Sequence, residues 1–313
     1  MRIAVLLSVY NGEQFLEKQV KTILEQNNVN LDLFIRDDGS IDRSKQIIRL
    51  IAARDSRVHF IQGQNVGFKR SFLELLKNPS VADYDYFAFA DQDDLWNANK
   101  LEVLQERISK LESEDPRIPI LLYSNGRIFS DKGEGRRLYQ KARNISSFID
   151  ACFRPLYGMS FLLNLPLKDI LVKTEASNFD LWGHDGWTAI VASAVGKVDF
   201  IDQDLVLYRQ HGDNASGLKN DYTKLSIGFI FATMRTFKRR EQSWAFKLSS
   251  LAKELEISLP NKVNAKSLFL IQKLTSSNKN RLPRLQLFLS SKFTAHSTIQ
   301  NLIIRLLLLK RKI

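Results

Sequence analysis

The feature that most constrains this chain is an alternation in its first 123 residues. Five apolar runs, each four to six residues long, are separated by longer stretches with helical spacing. The runs are Ile3–Ser8, Leu31–Ile35, Val58–Ile61, Tyr86–Ala90 and Ile118–Tyr123. Between them, Glu13–Gln26 repeats through Phe15, Val20, Ile23 and Leu24, and Ser44–Ala53 through Ile47, Ile48 and Ile51. Phe68–Leu76 and a stretch from about Asn97 to Leu111 follow the same period. Strands that alternate with helices form βαβ units, which predicts an α/β fold with a mostly parallel sheet covered on both faces. Ligands bind such sheets outside the carboxyl ends of the strands, so functional residues should follow each strand directly.

They do. Ser8-Val9-Tyr10-Asn11-Gly12 follows the first run and Arg36-Asp37-Asp38-Gly39-Ser40 the second. The segment from Gln64 to Arg70 follows the third, and Asp91-Gln92-Asp93-Asp94-Leu95-Trp96 the fourth. Any one cluster alone would read as a turn or a helix cap. Four at successive strand ends make a site. Within it, Asp91 and Asp93 stand two residues apart. In an extended segment their carboxylates point the same way and can hold one hard divalent cation through oxygen ligands.

Competing motifs fail. The Asp91 segment is not an EF-hand, because Trp96 occupies the sixth loop position where that turn needs glycine. Gly133-Glu134-Gly135-Arg136-Arg137 lacks the third glycine of a dinucleotide fingerprint and reads as an exposed loop. No GxxxxGK[ST] and no GxSxG occurs. A single cysteine, Cys152, excludes a disulfide framework and a Cys-based zinc cluster, and its apolar neighbours make it a packed side chain. His59 and His296 have no chemical context and read as structural. The opening MRIAVLLSVYNGEQ reads as a buried strand rather than a signal peptide, and no uncharged apolar stretch reaches 18 residues. The expectation is a soluble or peripheral protein in a reducing compartment.

The charge is unevenly placed. From Lys219 onward there are 19 Lys and Arg against four acids, while the preceding 218 residues carry 27 bases against 30 acids. A slightly acidic body thus precedes a strongly basic tail, which suggests attraction to an anionic surface. Phe229, Phe231, Met234 and Phe237 precede Lys238-Arg239-Arg240, and Leu302–Leu309 is closed by Lys310-Arg311-Lys312. Such basic amphipathic segments lie in an anionic interface without spanning it. The alternatives for this tail are a packing domain with a solvated basic face, or nucleic-acid binding, for which no recognised module is present.

Six pieces in order resemble the inverting family 2 glycosyltransferases of the GT-A fold, the bacterial type that uses nucleotide sugars. They are VLLSVYNGEQFL, RDDGSID, NVGFKRSF, FADQDDLW, GHDGW and YRQHGDNASG. The resemblance spans roughly residues 1–217, leaving 218–313 as a basic helical extension that is expected to associate with membrane. DQDDLW and YRQHGDNASG are most similar to rhamnosyltransferases of surface polysaccharides. The resemblance implies that Ser8, Tyr10 and Asn11 bind the nucleoside, with Tyr10 stacked on the pyrimidine. It implies that Asp37 or Asp38 accepts from the base N–H, and that Lys69 or Arg70 lies near the base or diphosphate. Asp93 matches the metal-binding carboxylate of the DxD motif, Asp91 faces the ribose or metal waters, and His211 reaches the metal or diphosphate. Asp185 matches the catalytic base, with Gly158, His184 and Trp187 on the acceptor and sugar side. Asp185 would also cap the helix Trp187–Ala194.

The implied function is a Mg²⁺- or Mn²⁺-dependent inverting transfer of L-rhamnose from dTDP-L-rhamnose to a lipid-linked saccharide in cell-surface polysaccharide synthesis. A UDP-hexose or UDP-N-acetylhexosamine donor is the alternative within the fold, and a nucleic-acid-binding protein using the basic tail is the alternative outside it. The expected partners are the nucleotide sugar, the acceptor and an anionic membrane, without nucleic acid; a homodimer is compatible with the family. The expected location is cytoplasmic, at the inner face of a bacterial membrane.

Overall fold

A computed structural model describes residues 1–130, 133–140, 145–154, 156–211, 248, 250–259, 261–276 and 281–290. The expectations for residues 222–240, His296 and 302–312 lie outside this set.

The first half follows the alternation closely. The elements are β1 (Arg2–Val9), α1 (Leu16–Leu24), β2 (Asn30–Asp37), α2 (Ser44–Arg54), β3 (Val58–Gln62), α3 (Phe68–Lys77), β4 (Tyr86–Ala90), β5 (Leu95–Trp96) and α4 (Lys100–Glu112). Then come β6 (Ile120–Ser130), β7 (Gly133–Arg137), α5 (Phe148–Phe153), a 3₁₀ turn at Gly158–Ser160, β8 (Phe161–Asn164), α6 (Leu165–Leu171), α7 (Ala176–Val195) and β9 (Lys197–Arg209). Three helices follow: α8 (250–258), α9 (Ala265–Ser276) and α10 (Arg281–Leu289).

The strands form one sheet in the order β3-β2-β1-β4-β8-β6-β9-β5, with β7 on β6. Its first half is all parallel, as the βαβ pattern requires. Beyond β4 the sheet is mixed: β8 runs antiparallel to β4 and β6, and β9 parallel to β6. Gly133–Arg137 is an exposed edge strand rather than a loop, paired antiparallel with β6. The chain turns back between β1 and β4, so the crevice at their carboxyl ends is the topological switch point.

Each sheet face carries its own core. Ile3, Val5, Leu7, Ile35 and Leu101 pack on one face, and Leu6, Phe34, Phe72, Phe87 and Trp187 on the other. The described part of the basic extension joins the second core through Leu251, Leu255, Leu270, Ile271 and Leu274. Asn264 Nδ2 donates to the Ser193 carbonyl at 3.1 Å, which ties the extension to α7. Cys152 is half-buried against the same core. His59 stacks on Phe34 and bonds Asp32, a structural role. Among the described residues no helix is long and apolar enough to cross a membrane.

Candidate active site

A cavity of about 730 Å³ opens at the switch point. Its first wall is the turn after β1. Asn11 takes φ +50° there, a left-handed conformation Asn tolerates, and its amide donates to Ser40 Oγ at 3.0 Å. Gln92 from the loop after β4 accepts from the Tyr10 amide at 2.8 Å and donates to the Tyr10 carbonyl at 3.1 Å, which locks the two loops together. Tyr10 stands half exposed at the mouth. Ser8 Oγ donates to Ser71 Oγ at 2.6 Å.

The turn after β2 separates its two carboxylates. Asp37 is fully buried and holds its own turn, accepting from the amides of Gly39 at 3.1 Å and Ser40 at 3.2 Å. It does not line the cavity. Asp38 does, and it accepts from the amides of Val66 and Gly67, each at 2.9 Å. The Arg36 guanidinium completes the arrangement, bonding Asp38, Ser71 Oγ and the Gln64 carbonyl. Neighbouring residues at a strand end face opposite ways, so only one of the pair can reach a ligand.

The loop after β4, beside that wall, is acidic. Asp91 and Asp93 both line the cavity, and His211 Nε2 lies 2.7 Å from Asp93 Oδ2. The His211 ring packs on Phe15 with centroids 4.9 Å apart. Burial, then the neighbouring charges of Asp93 and Asp185, pushes the Asp91 carboxyl up to about 7. Asp94 is buried behind them, accepting from the Arg209 amide at 2.9 Å. Among the described residues no three His, Cys, Asp or Glu side chains form a ready metal cluster.

Asp185 reaches the cavity through a break in α7. Gly183 has φ +80° and ψ 161°, so the helix stops and restarts with Asp185 in its new first turn. An L-residue pays for that φ, and glycine does not. Asp185 Oδ1 accepts from the Gly186 amide at 2.7 Å. His184 is buried, stacked on Phe72 with centroids 3.9 Å apart, and its two ring nitrogens have no hydrogen-bond partner among the described residues. Burial pushes its pKa down. A Cβ at Gly158 would stand 2.5 Å from His184 Nε2, so only glycine lets the 3₁₀ turn approach this closely.

Besides Asp37, three more of the expected site residues do not line the cavity. Trp187 is fully buried, its indole N–H donating to Thr174 Oγ1 at 2.8 Å. Residues two apart on a helix face different ways, so Asp185 in the cavity sends Trp187 to the core. Lys69 Nζ donates to the Asp180 carbonyl at 2.7 Å, and the Arg70 guanidinium grips the Asp180 carboxylate through Nε and Nη2. Both side chains sit beside the mouth and do not line the cavity. Sequence reading did not single out Asn65, Phe68, Phe72 or Tyr157, which do line it. Asn65 and Phe68 lay inside the segment after β3 and were findable there.

Residues 4–160 match the model of Glycosyl transferase family 2. The chain belongs to that family. This family 2 transferase is 27% identical over 240 residues to the dTDP-rhamnosyl transferase RfbG of Shigella flexneri, covering 71% of this chain and 78% of that protein. The glycosyltransferase superposes on S. aureus TarS 1–349 in complex with UDP-GlcNAc at TM-score 0.53 and 13% identity, over 98% of this chain and 80% of that one. It spans 55% of a longer TarS chain, at TM-score 0.52 and 16% identity. GalNAc-T7 with UDP, GalNAc and Mn²⁺ gives TM-score 0.51 at 12% identity, over 67% of this chain and 44% of that one. The solved neighbours place the enzyme in the GT-A fold, an α/β sheet flanked by helices.

Proposed function

We propose that this enzyme is an inverting, divalent-cation-dependent glycosyltransferase that moves L-rhamnose from dTDP-L-rhamnose to a lipid-linked saccharide of a cell-surface polysaccharide. The observation that carries the reading is that Asp185 opens into the same cavity as Asp38 and the Asp91–Asp93 pair. One carboxylate on the acceptor side, opposite a nucleotide and diphosphate side, is what single displacement needs. Rhamnose rests on the likeness to the dTDP-rhamnosyl transferase.

In this reading Tyr10 stacks on the pyrimidine at the mouth. Asp38, held by Arg36 and two loop amides, offers its remaining lone pair to the base N–H. Ser8 and Asn11 line the nucleoside side, and Lys69 and Arg70 turn from Asp180 toward the diphosphate. Asp185 Oδ takes the proton of the acceptor hydroxyl as that oxygen attacks the anomeric carbon. The C–O bond to the diphosphate breaks, and the electron pair leaves with dTDP. Gly158, whose missing Cβ makes room for the His184 imidazole, would face the sugar ring.

The donor set suits a hard cation. Asp93 and His211 touch, Asp91 opens beside them, and their crowded negative charge favours a positive one. Asp93 and His211 would hold Mg²⁺ or Mn²⁺, with Asp91 meeting its waters or the ribose. Bound there, the ion neutralises charge growing on the leaving diphosphate. The basic residues after Lys219 would hold the enzyme on an anionic inner membrane face, where a lipid-linked acceptor is found.

The test is a donor screen on purified protein, reading nucleotide release with dTDP-rhamnose, UDP-hexoses and UDP-N-acetylhexosamines, paired with melting curves in dTDP with and without Mn²⁺. Release from dTDP-rhamnose, and stabilisation by dTDP only with the cation, are expected. Preference for a UDP-sugar overturns the donor. Full activity of Asp93→Ala in EDTA overturns the metal.

A further inference from the structure

One fully buried charge has no part in the chemistry above. Lys100, the first residue of α4, has no exposed surface. Lysine is almost never fully buried without partners that compensate its charge. Its partners come from three separate elements. The amine donates to the Met159 carbonyl at 2.6 Å, within the 3₁₀ turn that presents Gly158 to the cavity. It sits 3.0 Å from the centre of the Trp96 ring, on β5. Burial pushes the amine well down, and the charges of Asp94 and Asp91 offset that only in part.

We propose that Lys100 is a positioning residue: its amine ties the Gly158 turn to Trp96, at the end of the Asp91–Asp94 loop, and its charge balances that loop's carboxylates. The sugar side and the diphosphate side of the cavity are therefore held at a fixed separation by one side chain beneath the floor. Asp94 belongs to the same unit. Its Oδ1 accepts from the Arg209 amide, two residues before His211, while its Oδ2 has no hydrogen-bond partner among the described residues. The ammonium thus limits how strongly the loop attracts any other cation. A weaker bare-metal site favours loading of the metal together with the nucleotide, whose diphosphate brings the missing oxygens.

This inference rests on the metal reading of Asp93 and His211, and the experiment separates the two. Mn²⁺ binding to the nucleotide-free protein is titrated calorimetrically for wild type, Lys100→Met and the Lys100→Met/Asp94→Asn pair, beside melting curves and transfer rates. Removing one nearby positive charge should tighten Mn²⁺ by about tenfold or more. Transfer should slow in the same variant, because the Gly158 turn has lost its tether. A general packing defect would weaken both. The double variant carries no uncompensated charge, so it should fold even if Lys100→Met does not, and should bind Mn²⁺ within about threefold of wild type by the same charge balance. Wild type that binds Mn²⁺ with a Lys100→Met variant that binds it equally or more weakly overturns the counter-ion role alone. A tenfold change in the double variant does the same. Wild type that binds no Mn²⁺ even with dTDP overturns the metal reading and this inference together.

Discussion

Arg36 Nη1 lies 2.5 Å from Asp38 Oδ1 with both side chains buried, so the carboxylate at the nucleoside wall carries its own internal counter-charge. The Arg36 guanidinium joins the turn after β2, the loop after β3 and α3 through Asp38, the Gln64 carbonyl and Ser71 Oγ, and a Cβ at Gly63 would collide with it. Arg36→Met should destabilise the fold by about 3–5 kcal/mol, the usual cost of stripping one partner from a buried pair. dTDP affinity should fall with it. Urea titration and calorimetry check both. A variant of wild-type stability would show that water replaces the guanidinium.

Asp185→Asn should keep the fold and the donor and lose transfer. Asn is nearly isosteric, and its oxygen can still accept from the Gly186 amide. The amide cannot take a proton near neutral pH, so kcat should fall by about 10²–10⁴-fold with little change in donor KM. Near wild-type kcat would move the base elsewhere.

The sequence carried the parallel half of the sheet in full, because strands buried on both faces read as continuous apolar runs and the helices between them have a clear period. The far half was harder. β9 mixes Asp199, Asp202 and Asp204 with apolar residues, since Arg107, Arg127 and Arg137 pair with those acids along its length. Its strand character lies in partners that are remote in sequence. The site was legible as strand-end clusters. Which member of a cluster faces the cavity was not, for Asp37 against Asp38 or for Trp187 beside Asp185, because that depends on the backbone direction at one residue.

His184 gives a pH signature. Burial lowers its folded pKa below the unfolded value of about 6.5, so the unfolded chain binds the extra proton first. Stability from this group is complete above pH 6.5 and is lost as pH falls toward the folded value, at up to about 1.4 kcal/mol per pH unit. Urea titrations at pH 7.5 and 5.5 should show a drop in wild type that His184→Gln reduces. Equal drops would assign the slope to other groups.

Arg70→Ala tests the mouth. Its pair with Asp180 is exposed, so melting should hardly move. If the guanidinium turns to the diphosphate, dTDP should bind more weakly while thymidine binds unchanged. A lowered melting point with unchanged dTDP affinity would make the pair a clamp between α3 and α7 only.

Deleting residues from Leu302 onward should release the protein from anionic liposomes, since Lys310, Arg311 and Lys312 are each worth about 1 kcal/mol near such a surface. Nucleotide release from the donor should persist, because the described residues that line the cavity fall between Ser8 and His211. Unchanged sedimentation with liposomes would count against a role for the tail.

The sheet order also carries a demand on synthesis. β4 is an all-buried YFAFA strand whose second edge is covered only when β8 docks, and β8 begins at Phe161. The ribosome must add 73 residues after Ala90 to reach Leu163, the first residue of β8 paired with β4, roughly 4 to 15 s at ordinary elongation rates. For that interval the nascent chain carries an apolar strand with one open edge, the form that recruits foreign strands. Synthesis therefore passes through a definable stage, between the fourth strand and the eighth, at which that edge is uncovered.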